Sequence, residues 1–449
     1  MTMIYPTFAR HIIFVLALLG LAGRPEIVHA APPNIILIMA DDLGYECIGA
    51  NGSTHYKTPR IDALASEGMR FTHAYSQPLC TPSRVQLMTG KHNFRNYTKF
   101  AYMNPEEKTF AHALKDAGYK TAIVGKWQLG FDSTLPPRFG FDEHCLWQLS
   151  ARKPEGERYA NPLIEQNGKR LPRDPDAYGP DIFCDFAMDF VSRSKDAPFF
   201  LYYPMALTHN PFVPTPDSAE WGSGDRYADD PKHFAEMVTY MDKNIGRLVD
   251  HVASLGLAEN TLFLFTGDNG TNRNIASPFQ GRMLQGDKGA MTDAGTHVPL
   301  IAWWAGTIKP GQTFEGLVGF EDFFPTLLDV GGVSDYKGQL DGRSFLPLLK
   351  GQAYEPKPWH YSHYDPRWGD NRTRRGRTAR TTDYKLYAGG PFFHIPTDPD
   401  EARPLDSAAL SPEAANIRAM LQQVLDDFEK QGSVMSADGA PESAKKAQE

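Results

Sequence analysis

Pro78-Leu79-Cys80-Thr81-Pro82-Ser83-Arg84 sets a cysteine two residues ahead of a proline and four ahead of an arginine. Proline is favoured at the first helical position, where its missing N–H would be unsatisfied anyway, so the spacing predicts a helix opening at Pro82 with Cys80 against its N-terminus. Unpaired N–H groups and the positive dipole end favour an anion there. Arg84, one turn on, is placed to steady residue 80 by hydrogen bonding. An ordinary buried cysteine is the plainer reading, because short motifs recur by chance. Elsewhere, Asp41-Asp42 and Asp268-Asn269 offer three carboxylates and an amide oxygen. Oxygen-only ligands suit a hard cation, and calcium accepts a loose set of them more readily than magnesium with its strict octahedron. No His/Cys group has zinc-site spacing. Taken singly, Asp41-Asp42 reads equally well as a turn or helix cap, and Asp268-Asn269-Gly270 as a hairpin turn. Taken together at two strand ends of one sheet, they point to a metal.

Such groups need a scaffold, and several apolar runs stop at one of them. Asn34–Ala40 runs into Asp41, Thr121–Gly125 into Lys126 and Thr261–Gly267 into Asp268; Phe199–Tyr203 leads by a short loop to His209. Near-continuous apolar runs suit strands buried on both faces, and ligands of such sheets bind beyond the carboxyl ends of the strands. The expected class is therefore α/β, a large mixed and mostly parallel sheet sandwiched by helices. Thr58-Pro59 and Asp230-Pro231 open two of the helices, the second with an apolar stripe from Phe234 to Val252. After about Lys350 the pattern changes. A cluster of arginines from Arg367 to Arg380 precedes a β-like Tyr384–Tyr387, and Ser411-Pro412 caps a last amphipathic helix. Residues 31–350 are expected to form the catalytic domain, 351–430 a small α+β domain and 431–449 a disordered tail. The arginine cluster reads as a solvated surface, or as a greeting for an anionic substrate.

Composition narrows the class. The 449 residues carry a formal net charge of −8, which does not suggest a nucleic-acid binder. Arg10, the apolar run Ile12–Ala22 and the small residues up to Ala30 have the layout of a signal peptide covering residues 1–30, so an exported protein, periplasmic or extracellular, is expected, with no stable membrane insertion. With four cysteines, Cys47, Cys80, Cys145 and Cys184, the chain is no disulfide scaffold. If Cys80 is modified, at most one internal bridge is possible.

Cys80 to Arg84, with Leu87-Met88-Thr89-Gly90 downstream, resembles the signature of the type I sulfatases, which belong to the alkaline-phosphatase-like superfamily. Gly118–Trp127 resembles that family's second signature, and the match runs from Asn34 to about Leu405. The resemblance implies conversion of Cys80 to formylglycine by a formylglycine-generating enzyme. It also implies one calcium ion held by Asp41, Asp42, Asp268 and Asn269 and touching residue 80, with Arg84, Lys126, His209 and Lys288 around the sulfate. A sulfate ester is anionic and repels an anionic nucleophile, whereas a hydroxyl of the hydrated aldehyde is neutral; His209 or Lys288 would protonate the departing alcohol. One position departs from the family pattern. Gln128 stands where most members carry a histidine that removes a hydroxyl proton, and glutamine can hold that hydroxyl but not take the proton. Asp42 and His92 are the candidate substitutes. A sulfated carbohydrate is the expected substrate, with Lys91–Tyr102, Leu146–Tyr159 and Ala276–Arg282 as walls of its pocket. Two other readings stay open: a phosphate or phosphonate ester hydrolase with the same aldehyde, and a calcium-dependent binder of sulfated glycans that does not turn them over.

Overall fold

In the computed structural model, which describes residues 1–3, 32–150, 157–223, 225–367 and 375–432, Asn34–Ala40 (β1) lies inside a ten-stranded sheet. Ile35, Leu37 and Met39 enter one apolar core and Ile36, Ile38 and Ala40 the other. A two-residue period with both faces buried is what makes the run look continuous in sequence. The chain continues through Met69–Tyr75 (β2), Lys120–Lys126 (β3), Glu143–Trp147 (β4), Ile164–Gln166 (β5), Lys169–Arg170 (β6), Phe199–Pro204 (β7) and Thr261–Gly267 (β8). A separate hairpin of Ala276–Phe279 (β9) and Arg282–Gln285 (β10) follows, then His297–Trp303 (β11) and Gln312–Gly319 (β12). The sheet order is β12-β2-β11-β8-β1-β7-β3-β4-β5-β6. Strands β8, β1, β7, β3 and β4 run parallel side by side, and β11 and β5 run against their neighbours. The expected mixed, mostly parallel sheet is therefore present, and β8, β1, β7 and β3 all finish on one edge. Gly125, just before Lys126, has φ +116°, and a Cβ there would lie 2.1 Å from the carbonyl oxygen of Pro204. Only glycine lets β3 approach β7 so closely at that edge.

Helices cover both faces. Thr58-Pro59 does open a helix, Pro59–Glu67, and its N-terminal N–H groups at Arg60 and Ile61 donate to the Asp242 carboxylate at 3.0 and 2.8 Å. Asp242 belongs to the helix Phe234–Ser254, so one helix caps another across the core. A short 3₁₀ turn, Pro231–His233, leads into Phe234–Ser254, and Asp230 caps it by accepting the Lys232 N–H at 3.0 Å. Met237, Val238, Met241, Ile245, Leu248 and Val252 of that helix are buried, as the stripe required.

The second sheet is antiparallel, with His360–Tyr364 (β13), Gly376–Arg380 (β14), Tyr384–Tyr387 (β15) and Phe392–His394 (β16) in sequence order. Helix Pro412–Lys430, capped by Ser411 Oγ accepting the Ala414 N–H, packs Leu421, Val424 and Leu425 against Tyr361, Ala379, Leu386 and Phe392. Both sheets belong to one compact unit starting at Pro32.

Two buried polar networks fasten the second sheet to the first. Arg380 Nη1 donates to Asp293 and lies over the Tyr75 ring at 3.9 Å, while Lys385 Nζ donates to Glu401 at 2.9 Å. On the other side a chain of amides and charges crosses from one sheet to the other. Gln77 donates to Gln86 (2.6 Å), Gln86 to Glu321 (2.7 Å) and Lys357 to Glu321 (2.8 Å), while Ser362 donates to Gln77 (3.2 Å). Of the described members of the arginine cluster, Arg375 is exposed as a solvated surface would be, whereas Arg367 pairs with Asp365, Arg377 with Glu429, and Arg380 is buried against Asp293. All four cysteines are free. Among the described residues no helix is long and apolar enough to cross a membrane. The leader expected at 1–30 and the tail expected at 431–449 fall, apart from residues 1–3 and 431–432, outside the described residues.

Burial raises the Asp293 carboxyl, but Arg380 and Lys385 overcome that and leave it below its ordinary value. A depressed carboxyl stabilises the fold above its unfolded value and loses that contribution as pH falls through its folded one. Arg380→Met should cost about 3–5 kcal/mol at pH 7, because it leaves a buried charge without its partner. That deficit should shrink below about pH 4 as Asp293 takes a proton. Denaturant midpoints of both proteins from pH 7 to pH 2 measure it; a deficit independent of pH would assign the loss to packing alone.

Candidate active site

Asp41 and Asp268 follow Ala40 and Gly267, which are register partners in β1 and β8, and the Asp268 N–H donates to the Ala40 carbonyl at 2.9 Å. Successive residues of a strand point to opposite faces, yet Asp41 and Asp42 both contribute here. Asp42 has φ +61°, a left-handed conformation that Asp tolerates better than most residues, and this breaks the alternation. All three carboxylates are fully buried.

Each carboxylate is held by cations from other elements. Lys126 Nζ donates to both oxygens of Asp41 at 2.7 Å, and Arg158 Nη1 to one at 2.9 Å. Lys288 Nζ donates to Asp42 at 2.6 Å. Arg84 donates to Asp268 at 3.0 Å and to the Lys126 carbonyl at 3.0 Å. Burial raises the Asp41 carboxyl, but the charges of Lys126, Arg158 and Arg84 overcome it and hold it well below the usual range. Burial and the adjacent Asp41 push Asp268 the other way, to about 7, against Arg84 and Lys126.

Cys80 is the first residue of the helix Cys80–Thr89, which starts two residues before the expected Pro82 because the Ser83 N–H already bonds to the Leu79 carbonyl. Arg84, expected to steady residue 80, spends its hydrogen bonds on Asp268 and the Lys126 carbonyl, where a buried carboxylate is the stronger acceptor. Ligand atoms of Cys80, Asp41 and Asp268 lie within 4.8 Å of one another, as do those of Asp41, Asp42 and His209. Burial pushes the Cys80 thiol up, opposed by Lys126 and Lys288, so the unmodified side chain is a poor thiolate nucleophile. His209 sits with Nδ1 2.5 Å from the Asn210 carbonyl and Nε2 3.8 Å from Asp42. Burial, Arg158 and Lys288 hold its pKa well below the ordinary value, so the ring is neutral at neutral pH. Lys288 is shifted up despite burial, by Asp42 first, and keeps its proton.

Two acceptors in the site lack partners. Asn269 donates to Asp42 and to the Gly270 carbonyl at 2.9 Å each, but its Oδ1 is buried without a hydrogen bond. An orphaned amide oxygen beside three carboxylates is the donor set a hard cation fits. Gln128, also left-handed at φ +55°, lines the cavity with Cys80 and has a buried Oε1 with no partner.

The cavity above Cys80 measures 960 Å³. Lys99, Phe100 and Tyr102 from the first expected wall and Trp147, Gln148 and Arg158 from the second line it. The third expected wall does not. Phe279, Gln280 and Arg282 line a separate 330 Å³ cavity, because the β9–β10 hairpin carries them away from the site. His92 is absent as well: its N–H bonds to Asp341 and its ring packs on Tyr361 and Phe428, where burial lowers its pKa to about 4. Arg158, Asn210, Asn272 and Arg273 line the cavity without having been singled out from sequence. Arg158 belongs to no motif; its place in the expected wall Leu146–Tyr159 was the only hint, and its guanidinium covers the Trp147 ring at 4.4 Å.

Residues 33–333 match the family model for Sulfatase. The chain belongs to the sulfatase family. Residues 283–431 of this sulfatase also match the model for the N-sulphoglucosamine sulphohydrolase C-terminal region, which includes the second sheet. It is 33% identical over 396 residues to mouse (Mus musculus) N-acetylgalactosamine-6-sulfatase, covering 79% of this chain and 73% of the relative. It is 33% identical over 397 residues to human (Homo sapiens) arylsulfatase A, covering 80% and 75%. The solved structure of Ps i-CgsB in complex with k-i-k-neocarrahexaose superimposes with a TM-score of 0.73 at 26% identity, covering 89% of this chain and 92% of that one. The fold is the one expected, and the sulfatase is a sulfuric ester hydrolase by descent.

Millimolar calcium should raise the melting temperature of the sulfatase by several degrees, since saturation at 100 times the dissociation constant adds about 2.7 kcal/mol. Asn269→Ala and Asp42→Asn should abolish the rise. A wild-type melting curve indifferent to calcium would remove the hard-cation assignment.

Proposed function

We propose that this sulfatase hydrolyses a sulfate ester of a carbohydrate, with Cys80 converted to formylglycine and one calcium ion held by Asp41, Asp42, Asp268 and Asn269. The observation that carries this reading is the setting of residue 80: it opens a helix at the floor of the cavity, within reach of Asp41 and Asp268, yet as a thiol it is held protonated. Bound calcium would offset charge on the nonbridging sulfate oxygens. A formylglycine hydrate would offer a neutral hydroxyl to the sulfur.

The chain's own residues supply the rest. Lys126, Arg84 and Arg158 fix the carboxylates, so the floor is preorganised and the ester meets positive charge without reorganisation. Lys288, protonated and lining the cavity, is the donor for the departing alcohol. His209 is less suited to donate, since its neutral ring with Nδ1 toward the Asn210 carbonyl leaves Nε2 as an acceptor. Gln128 Oε1 is an acceptor for a hydroxyl on residue 80. A saccharide substrate is supported by the relative named for N-acetylgalactosamine 6-sulfate and by the neighbour solved with an oligosaccharide.

Gln128 also favours a second reading, a calcium-dependent glycan binder that does not turn over, because no titrating group replaces the family's histidine at that position. The mass of the tryptic peptide Phe71–Arg84, from protein made with a formylglycine-generating enzyme, decides between them. Aldehyde at residue 80 together with sulfate release supports the hydrolase; an intact thiol and no release supports the binder.

Relative to the converted wild type, Cys80→Ala should lower sulfate release roughly 10³-fold or more while leaving the melting temperature within a few degrees. Gln128→Ala should lower kcat by about 10²-fold, the cost of one well-placed hydrogen bond in a transition state. Undiminished turnover in Cys80→Ala would discard the nucleophile.

A further inference from the structure

The floor of the active site holds four cations against three carboxylates: Arg84 on Asp268, Lys126 and Arg158 on Asp41, and Lys288 on Asp42. With a calcium ion in place the excess of positive charge becomes larger than a sulfate monoester, which brings a single negative charge, can balance. Further out the imbalance grows. Among the described residues lining the 960 Å³ cavity there is no aspartate or glutamate, while Lys99 and Arg273 add two more cations.

Neither outer cation is committed as the inner ones are. Lys99 is exposed, its ammonium lies 4.7 Å from the centre of the Tyr102 ring, and among the described residues no carboxylate pairs with it. Arg273 makes an ion pair with Asp287 through Nε at 3.2 Å, but neither Nε nor Nη2 has a hydrogen-bond partner of good geometry, and a third of the side chain is open to solvent. Asp287 is itself engaged by the Thr292 hydroxyl at 2.8 Å. Nε and Nη2 are themselves enclosed beside Asp287, so Arg273 meets the cavity with the rest of its guanidinium, a delocalised positive charge that suits carboxylates and sulfates. Arg273 follows Asn272, whose Nδ2 donates to Asn210 Oδ1 at 3.2 Å, so the loop that bears it is tied to the loop bearing His209. Phe131, 41% exposed, and Tyr102 add aromatic surface to the lining of the same cavity.

We infer that the cavity takes an acidic saccharide, one that carries a second anionic group besides the scissile sulfate, and that Arg273 and Lys99 seat this second group. The inference rests on the proposed function and deepens it by naming the substrate class. A carboxylate and a further sulfate share the required chemistry, so the test carries an arm for each.

Three probes are titrated by calorimetry into the full-length, calcium-loaded Cys80→Ala protein, which binds without turning over. They are a neutral monosaccharide with one sulfate, the same sugar with two sulfates, and a uronic acid with one sulfate. At least one doubly anionic probe should bind tenfold or more tighter than the monosulfated sugar, and the preferred one identifies the second group. Adding Arg273→Gln should cut that ratio at least fivefold, and adding Lys99→Gln, at an exposed position where folding is not at stake, should cut it measurably. A wild-type ratio near one, or a ratio kept in both variants, overturns the inference. Sulfate release from 4-nitrophenyl sulfate by the unsubstituted, converted protein is measured alongside. Release without the binding ratio rejects the second-anion site alone; the ratio without release rejects the hydrolase reading alone.

Discussion

Burying three carboxylates at one sheet edge is the constraint around which the molecule is arranged. Each such charge costs several kcal/mol to remove from water unless it is paired and hydrogen-bonded. The partners come from four different places: Arg84 from a helix, Lys126 from the end of β3, Arg158 and Lys288 from loops. Strand order, helix placement and loop course must all be right before the last charge is satisfied. The active site is in this sense a readout of the completed fold. Asn269 Oδ1, beside the carboxylates, and Gln128 Oε1, on a residue that lines the cavity, are two buried acceptors left without a partner here.

The second sheet takes part in that arrangement at a distance. The chain from Gln77 through Gln86 to Glu321 and Lys357 grips the helix Cys80–Thr89 on both sides of Cys80, since Gln77 precedes it and Gln86 follows it by less than two turns. Ser362 on β13 completes the hold at Gln77. On the opposite side, Arg380 and Lys385 anchor Asp293, five residues after Lys288. The C-terminal strands thus buttress the segments that bear Cys80 and Lys288, without contributing a residue to the described cavity wall.

How much of this was legible in the sequence follows from the range of the interactions. Strands buried on both faces announce themselves as apolar runs, and a polar residue at the end of each run is visible locally, which is why Asp41, Lys126, His209 and Asp268 could be gathered at one edge from the runs alone. Helix starts carry local signals too, but Pro82 misled by two residues because proline is also accommodated later in the first turn. Pairings are another matter. Arg84 and Asp268 are 184 positions apart, and nothing local says that the arginine would choose that carboxylate over residue 80. Arg158 and Arg273 sit in loops without a motif, and His92 and the β9–β10 hairpin lie close in sequence to site residues while packing elsewhere. Loop course depends on what the loop packs against, and no short-range pattern encodes it.

Cys80 has 1% of its surface exposed, and its helix is fastened through Gln77, Gln86 and Arg84. A catalyst that alters a side chain by gripping an extended segment finds none here, because in the finished protein residue 80 is already part of the helix. Any conversion of residue 80 therefore belongs to the interval between synthesis and the docking of that helix. Folding speed and modification speed compete, and a molecule that folds first keeps its thiol for as long as it stays folded. A preparation of this sulfatase can then contain two populations alike in shape and stability but fixed in different chemical states by the order of two events in their history.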